Sequence, residues 1–400
     1  MERSLFRDRD FRLVAGSVGL SAFGDWVAIV ALGLFIGEQT DSGFLVAALW
    51  ICLFGPSVFV SGFAGVLVDR IETTRLLALV SGAGAVIAAL LAFTSAVPLA
   101  LFLTAMLGVV FAISQPAEFA LVPPLAGTRV QEANGHVETV RYIGFGVGPL
   151  VGGFLFSWGG LELAMLVDAA TFAAVAVAAR MLRIRRVPDE LGADEAVPRA
   201  RDGIAYLFRD STLALVMMVA FGSLFFMSAV WVGELFFVED VLEMGDVAYA
   251  SMFSVWTVGM ALGALLLSRR VAVTALALAG LAAATVQGLA LALPALWLSF
   301  AFYLACAFLG GTAHGVKNVM YRSLIHVRVP ENLHGRAFAA YNAIRNTAEL
   351  GAFAAGGFLV AVIGPRDTLA YAGGLSALVG VVGLVALIRL RQRVPAAEAA

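Results

Sequence analysis

The stretch from Val97 to Leu125, VPLALFLTAMLGVVFAISQPAEFALVPPL, holds no arginine or lysine, and apolar runs of this kind recur along the whole chain. About 20 apolar residues suffice to cross a bilayer as a helix. The runs are continuous rather than alternating every second residue, so they read as helices and not as the strands of a membrane barrel. Only 14% of the 400 residues are charged and the mean hydropathy is +0.93, whereas a soluble domain carries roughly 25% charged residues. An ordinary aqueous surface is excluded. The fold class expected is an all-α integral membrane protein.

Twelve spans are predicted, at about 11–37, 43–67, 75–95, 97–125, 134–158, 163–182, 211–238, 247–268, 271–293, 295–321, 337–363 and 368–389. Pro98 and Pro294 mark two very tight connections. The N-terminal apolar run contains Asp25 and Trp26 and reaches about Gly37, so it reads as an uncleaved first span rather than a secretory signal. Arginines set the orientation. Connections on the side of the N-terminus hold Arg70, Arg75, Arg129, Arg183, Arg269 and Arg270 among others, while the opposite connections hold only Arg366 beside Glu38, Asp41, Glu162, Glu239 and Asp240. Both termini are expected in the cytoplasm, with the chain in the inner (cytoplasmic) membrane.

The organisation expected is a six-helix half over 1–182, a hydrophilic linker over 183–210, a second six-helix half over 211–393 and a short tail over 394–400. The end of the linker, Ile204 to Phe208, suits either a short amphipathic surface helix or a solvated loop. A slide of 204 residues lays Arg141 on Arg345 and the GGFL of 152–155 on the GGFL of 356–359. That match reads as an internal duplication, and parallel six-span repeats place a substrate site near the membrane midplane.

A net charge of −2 gives no footing for nucleic acid. Cys52 and Cys306 lie inside apolar runs and read as small buried hydrophobes. No metal-ligand cluster and no G-x-x-x-x-G-K-[ST] phosphate loop is present, so no cofactor is expected and an ATP-driven pump is disfavoured; the proton gradient expected as energy source is what the family resemblance given below implies.

Charges inside spans are expensive, roughly 2.5–3.5 kcal/mol at a helix centre, and mark function or pairing. Asp25, Glu118, Asp168 and Glu234 are the candidates for proton coupling or substrate binding. A carboxyl in a dry cavity suits a proton carrier, whereas one held by an arginine serves as structural glue. Glu138 and Arg141 lie three apart on one helix face and can pair; Arg345 and Glu349, four apart, repeat that arrangement. These four read as a structural or gating set. Lys317, the chain's single lysine, is expected to snorkel to the cytoplasmic edge of its span; the alternative is that, with His314 one turn deeper, it faces the cavity. Trp26, Phe226, Trp231 and Trp256 are candidate cavity aromatics.

The stretch GFAGVLVDRIETTR resembles the loop signature of the major facilitator superfamily, through Gly65, Asp69, Arg70 and Arg75, departing from it at Glu72, Thr73 and Thr74. In that family the loop network latches the cytoplasmic side. A second resemblance, to the span-5 glycine-proline pattern associated with export by antiport, rests on Gly144, Gly148, Pro149, Gly152 and Gly153. Further stretches, LFRDRDFRLV with SAFGDW, PAEFALVPPL, RDGIAYLFRDSTL and VPENLHGRAF, resemble the branch with macrolide-efflux proteins and siderophore exporters. The span-4 arginine of many drug antiporters is missing. The resemblance implies a monomeric secondary transporter that exports a hydrophobic or amphipathic small molecule through the bilayer against protons. Uptake by proton symport, and a multispan enzyme acting on lipid, are the alternatives.

Overall fold

The computed structural model describes residues 5–40, 42–126, 129–184, 205–267, 271–330 and 334–397, and the described residues form helices joined by short turns. The helices are α1 (Arg9–Gln39), α2 (Gly43–Arg70), α3 (Thr73–Ala92), α4 (Val97–Ala120), the short α5 (Val122–Ala126), α6 (Val130–Met181), α7 (Ser211–Phe236), α8 (Asp246–Leu262), α9 (Leu276–Ala292), α10 (Phe300–Arg328) and α11 (His334–Ala397). Among the described residues, nine helices are long and apolar enough to cross a membrane.

Two of those helices are too long for one crossing. α6 has 52 residues and α11 has 64, against the 20 or so that a bilayer needs. Each is broken at a glycine. Gly159 leaves the helical region and Gly160 takes φ 64° and ψ −163°; Gly364 takes φ 81° and ψ 168°. This backbone region is open essentially to glycine alone. Pro365 then starts the second arm of α11 with the ring geometry that suits a first helical turn. The two broken helices, together with the 29-residue α10, make the set compatible with the expected twelve spans.

Some boundaries differ from expectation. The span predicted from 295 begins at Phe300, because Pro294 is held in a 3₁₀ turn, Leu293–Ala295, that ends α9. The tightest reversals fall at the two glycine breaks rather than at Pro98 and Pro294. α11 runs on to Ala397, into the segment expected as a tail. The greater part of the expected linker, 185–204, lies outside the described residues. At its end Leu207 is fully buried among Leu213, Leu324 and Tyr341, which anchors this turn to protein, while Phe208 is exposed.

The chain forms two compact units. Unit 1 is Met1–Asp41, Ala48–Asp194 and Gly245–Ser254; unit 2 is Ser42–Ala47, Glu195–Met244 and Val255–Ala400. In unit 1 a core of Phe11, Leu77, Val122, Val137 and Val175 joins α1, α3, α5 and α6. In unit 2 Leu213, Leu281, Tyr321, Tyr341 and Leu387 join α7, α9, α10 and α11. Large apolar side chains cover the outside: Phe59 is 83% exposed, Trp158 77% and Trp297 68%. An apolar surface of this kind is what lipid requires, and the two tryptophans beside turns suit the membrane–water boundary.

Lipid tails are as apolar as leucine, so close helix packing rather than water exclusion must hold these helices together. The glycine ridge of α6 supplies it in unit 1. A Cβ on Gly144 would lie 2.7 Å from Gly19 O, one on Gly148 would lie 2.7 Å from Phe23 O, and one on Gly152 would lie 2.8 Å from Val27 O. Three glycines four apart thus seat on three α1 carbonyls four apart. The second GGFL does the same in unit 2, where a Cβ on Gly356 would sit 2.6 Å from Ala229 O of α7.

α1 and α7 also begin with matched caps. In Phe6-Arg7-Asp8, Asp8 accepts from the amides of Asp10 and Phe11 at 2.7 and 3.2 Å. In Phe208-Arg209-Asp210, Asp210 accepts from Thr212 and Leu213, both at 2.8 Å. Asp10 then accepts from the amides of Arg183 and Ile184 at 2.8 and 2.9 Å, tying the end of α6 to the start of α1. Arg328 holds Asp210 at 2.7 Å and so ties α10 to α7.

Candidate functional site

In unit 1 the ridge contact brings α1 and both arms of α6 so close that their polar side chains share one interior. α1 presents Ser21 and half-buried Asp25; α4 presents Gln115 and buried Glu118; the first arm of α6 presents Arg141 and Phe145. These residues line a cavity of about 10 Å³, at the lower limit of room for one water. Glu118 is 4% exposed and lies against Ser21 and Arg141.

The second arm of α6 adds Asp168, 1% exposed. Gly24 makes its approach to α1 feasible, since a Cβ there would overlap Thr171 and lie 2.6 Å from Asp168 Oδ1. The Thr171 hydroxyl donates to the carbonyl of Asp168 at 2.8 Å, with its carboxylate oxygen at 3.4 Å. Asp25, next to Gly24, is in electrostatic reach of both Asp168 and Glu118. Among the described residues, Glu118 Oε1 and Asp168 Oδ2 have no hydrogen-bond partner. Ser21, Gln115 and Thr171 were not singled out from sequence, because lone polar residues in apolar helices carry no local signal of what they face.

Arg141 lies at the edge of this interior and forks onto Glu138, Nε to Oε2 and Nη2 to Oε1, both at 3.1 Å. Its guanidinium also covers the rings of Phe119 at 5.2 Å and Phe145 at 5.4 Å, contacts that favour a cation once desolvated. Arg345 and Glu349 pair in unit 2 at 3.4 Å, a looser contact. Glu234 belongs to unit 2, buried against Tyr303, and does not join the acidic group of unit 1.

The remaining candidates divide between the units. Trp26 packs on Phe145 at 5.8 Å and on Phe253 at 5.4 Å within unit 1. In unit 2 Phe226 packs on Phe225 at 5.4 Å, and Trp256 lies 5.8 Å from the imidazole of His314; Trp231 is half-buried. Pro149 lies inside α6 without interrupting it. Gly153 packs on Ala250, at 2.5 Å from an added Cβ.

The loop after α2 is accounted for at its departures from the family pattern. Glu72 caps α3, accepting from the amides of Thr74 and Arg75 at 3.2 Å each and from the Thr74 hydroxyl. Thr73 and Thr74 are buried, at 0% and 1% exposure, so basic residues would have no room there. Arg75 and Glu72 line a cleft of about 400 Å³ with Arg180. The side chains of Gly65, Asp69 and Arg70 lie outside the described residues.

One expectation is overturned. Lys317 does not snorkel: it is 3% exposed, with His314 at 7%. It stands three residues past His314 and four before Tyr321, whose ring lies against Gly280 of α9, so this face of α10 is turned into unit 2.

Comparison with known proteins follows this geometry. The family model described as Major Facilitator Superfamily matches residues 14–352. No curated protein sequence matches the chain. Among solved structures, the nucleoside transporter NupG is similar with a TM-score of 0.73 at 14% identity, over 94% of this chain and 99% of that one. The peptide transporter POT in complex with sulfate is similar with a TM-score of 0.73 at 14% identity, over 95% of this chain and 94% of that one. The human organic anion transporter MFSD10 (TETRAN) is similar with a TM-score of 0.65 at 16% identity, over 93% of this chain and 99% of that one. At such identities the likeness establishes the fold alone.

Proposed function

The chain belongs to the Major Facilitator Superfamily, and from that premise we propose that it is a secondary active transporter that exports a hydrophobic or amphipathic small molecule in exchange for protons. It would work by alternating access, as a monomer in the inner membrane with both termini cytoplasmic, and its motifs resemble those of the macrolide-efflux and siderophore-exporter branch. No catalytic residue is assigned.

The observation that carries the reading is the acidic interior of unit 1. Glu118 and Asp168 are buried, each with one oxygen lacking a donor, and Asp25 is in electrostatic reach of both. An oxygen without a donor is a place for a bound proton, and carboxyls inside a membrane helix bundle mark proton relays. Asp25 is only half-buried, so it is the member best placed to exchange a proton with water. Arg141, held on Glu138, would supply the charge that responds when Glu118 ionises, in the role of the arginine missing from α4. The glycine ridge and Pro149 would let α1 and α6 rock as one body, since backbone-to-backbone contact leaves no side chains to repack.

Everted membrane vesicles test direction. Substrate accumulation driven by an acid interior is the outcome expected of an exporter that exchanges against protons. Accumulation in right-side-out vesicles under an inward proton gradient would replace this reading with uptake by symport.

A further inference from the structure

The interior of unit 2 has the opposite charge character from that of unit 1. On α10, His314, Lys317 and Tyr321 fall on one face, all at or below 7% exposure. On α11, Tyr341, Arg345 and Glu349 fall on one face at steps of four. Tyr321 packs on Gly280 of α9 and is in electrostatic reach of Tyr341, and both belong to the core of unit 2. Electrostatically, Lys317 feels both Arg345 and Glu349, and His314 feels Lys317, Arg345 and the exposed Arg322.

Two basic side chains, Lys317 and Arg345, therefore lie in reach of one acid, Glu349, and that acid is engaged by Arg345 at 3.4 Å. Arg345 is further covered by the ring of Tyr341 at 5.9 Å. Among the described residues, buried His314 Nδ1 has no hydrogen-bond partner. Trp256 closes the imidazole side, with its ring 5.8 Å away. A buried lysine and a buried imidazole beside an apolar aromatic are the donors that an organic anion requires, because a charge is held in a low-dielectric interior only with a partner.

The geometry points to an anion site at His314, Lys317 and Arg345 that receives the carboxylate of an amphipathic substrate, with Trp256 against its apolar part. The assignment rests on the transporter reading above and narrows the cargo to an organic acid.

The test uses the full chain in nanodiscs, with octanoate as probe and octanamide as its uncharged counterpart, read by Trp256 emission; the same titrations on Trp256→Phe give the background from other tryptophans. The site requires a saturable response to octanoate and none to octanamide. Lys317→Met should weaken octanoate roughly thirtyfold, the usual scale for removing one side of a desolvated charge pair, while Lys317→Arg keeps it. Equal responses to octanoate and octanamide in the unmodified protein would overturn the site, whether or not Lys317→Met folds. Undiminished octanoate binding by folded Lys317→Met would overturn it as well. Saturable octanoate binding without proton-driven flux of any compound would leave the site standing and remove the transporter reading; flux without octanoate selectivity would do the reverse.

Discussion

Gly148→Ala is the sharpest perturbation of the packing that assembles the acidic interior. The added methyl carbon would stand 2.7 Å from Phe23 O and 2.9 Å from Trp26 Cβ. Ordinary contact begins near 3.4 Å, so α1 and α6 must separate by about 0.7 Å at that point. Neither helix can do so locally, because Gly144 and Gly152 hold the same backbone contact one turn to either side. Overpacking of this kind costs about 1–3 kcal/mol. Gly16→Ala in α1 is the control, since nothing lies within 4 Å of a Cβ there, and the exchange gains up to about 1 kcal/mol from helix propensity alone. The same propensity gain accrues at Gly148, so unfolding titrations in mixed micelles should separate the two variants by the overpacking cost alone, roughly 1–3 kcal/mol, with Gly148→Ala the less stable. Equal stability of the two variants would refute the backbone contact.

Other expectations follow from the same structure. Gly364→Ala must adopt φ 81° and ψ 168° with a side chain, which costs about 1–3 kcal/mol; thermal melts should show the loss, although nothing lies within 4 Å of the added carbon. Asp210 is pushed up by partial burial, but hydrogen bonds from Leu213, Arg328 and Thr212 outweigh this and hold its carboxyl below the ordinary value. A depressed folded value stabilises above the unfolded pKa and fades as pH falls through the folded one. Asp210→Ala should therefore lower stability by about 1 kcal/mol at neutral pH, the usual worth of a helix cap, with the gap closing below about pH 4. Glu72→Ala removes the cap of α3 and should cost a similar amount, read by the same melts, without changing substrate affinity.

Much of the scaffold was legible because the bilayer leaves few options: apolar length dictates a helix, and spaced glycines dictate a close neighbour. The 204-residue slide that aligned Arg141 with Arg345 also aligned Gly152 with Gly356, and both glycines meet the first helix of their own unit. The reversals were less legible. Gly160 and Gly364 sit in glycine-rich sequence, so nothing local distinguishes the residue that turns from those that pack. Grouping was least legible of all. Glu118 and Asp168 lie 50 positions apart and are both in reach of Asp25, and the approach of Asp168 to α1 depends on the missing side chain of Gly24. Lys317 misled because snorkelling depends on which way a helix face points, and that direction is fixed by the packing of Tyr321 on Gly280. The repeated Phe-Arg-Asp before α1 and α7 was visible in sequence, and an alignment of those two stretches would have found both caps.

The central claim is that carboxyls of unit 1 couple protons to substrate movement. Its most direct measurement compares two modes in proteoliposomes for a substrate found in a compound panel: exchange of labelled for unlabelled substrate without a gradient, and accumulation driven by a proton gradient. Asp25→Asn should retain exchange and lose gradient-driven accumulation, since a group that cannot release a proton can still let the loaded carrier cycle. Full gradient-driven accumulation by Asp25→Asn, and equally by Glu118→Gln and Asp168→Asn, would contradict the account.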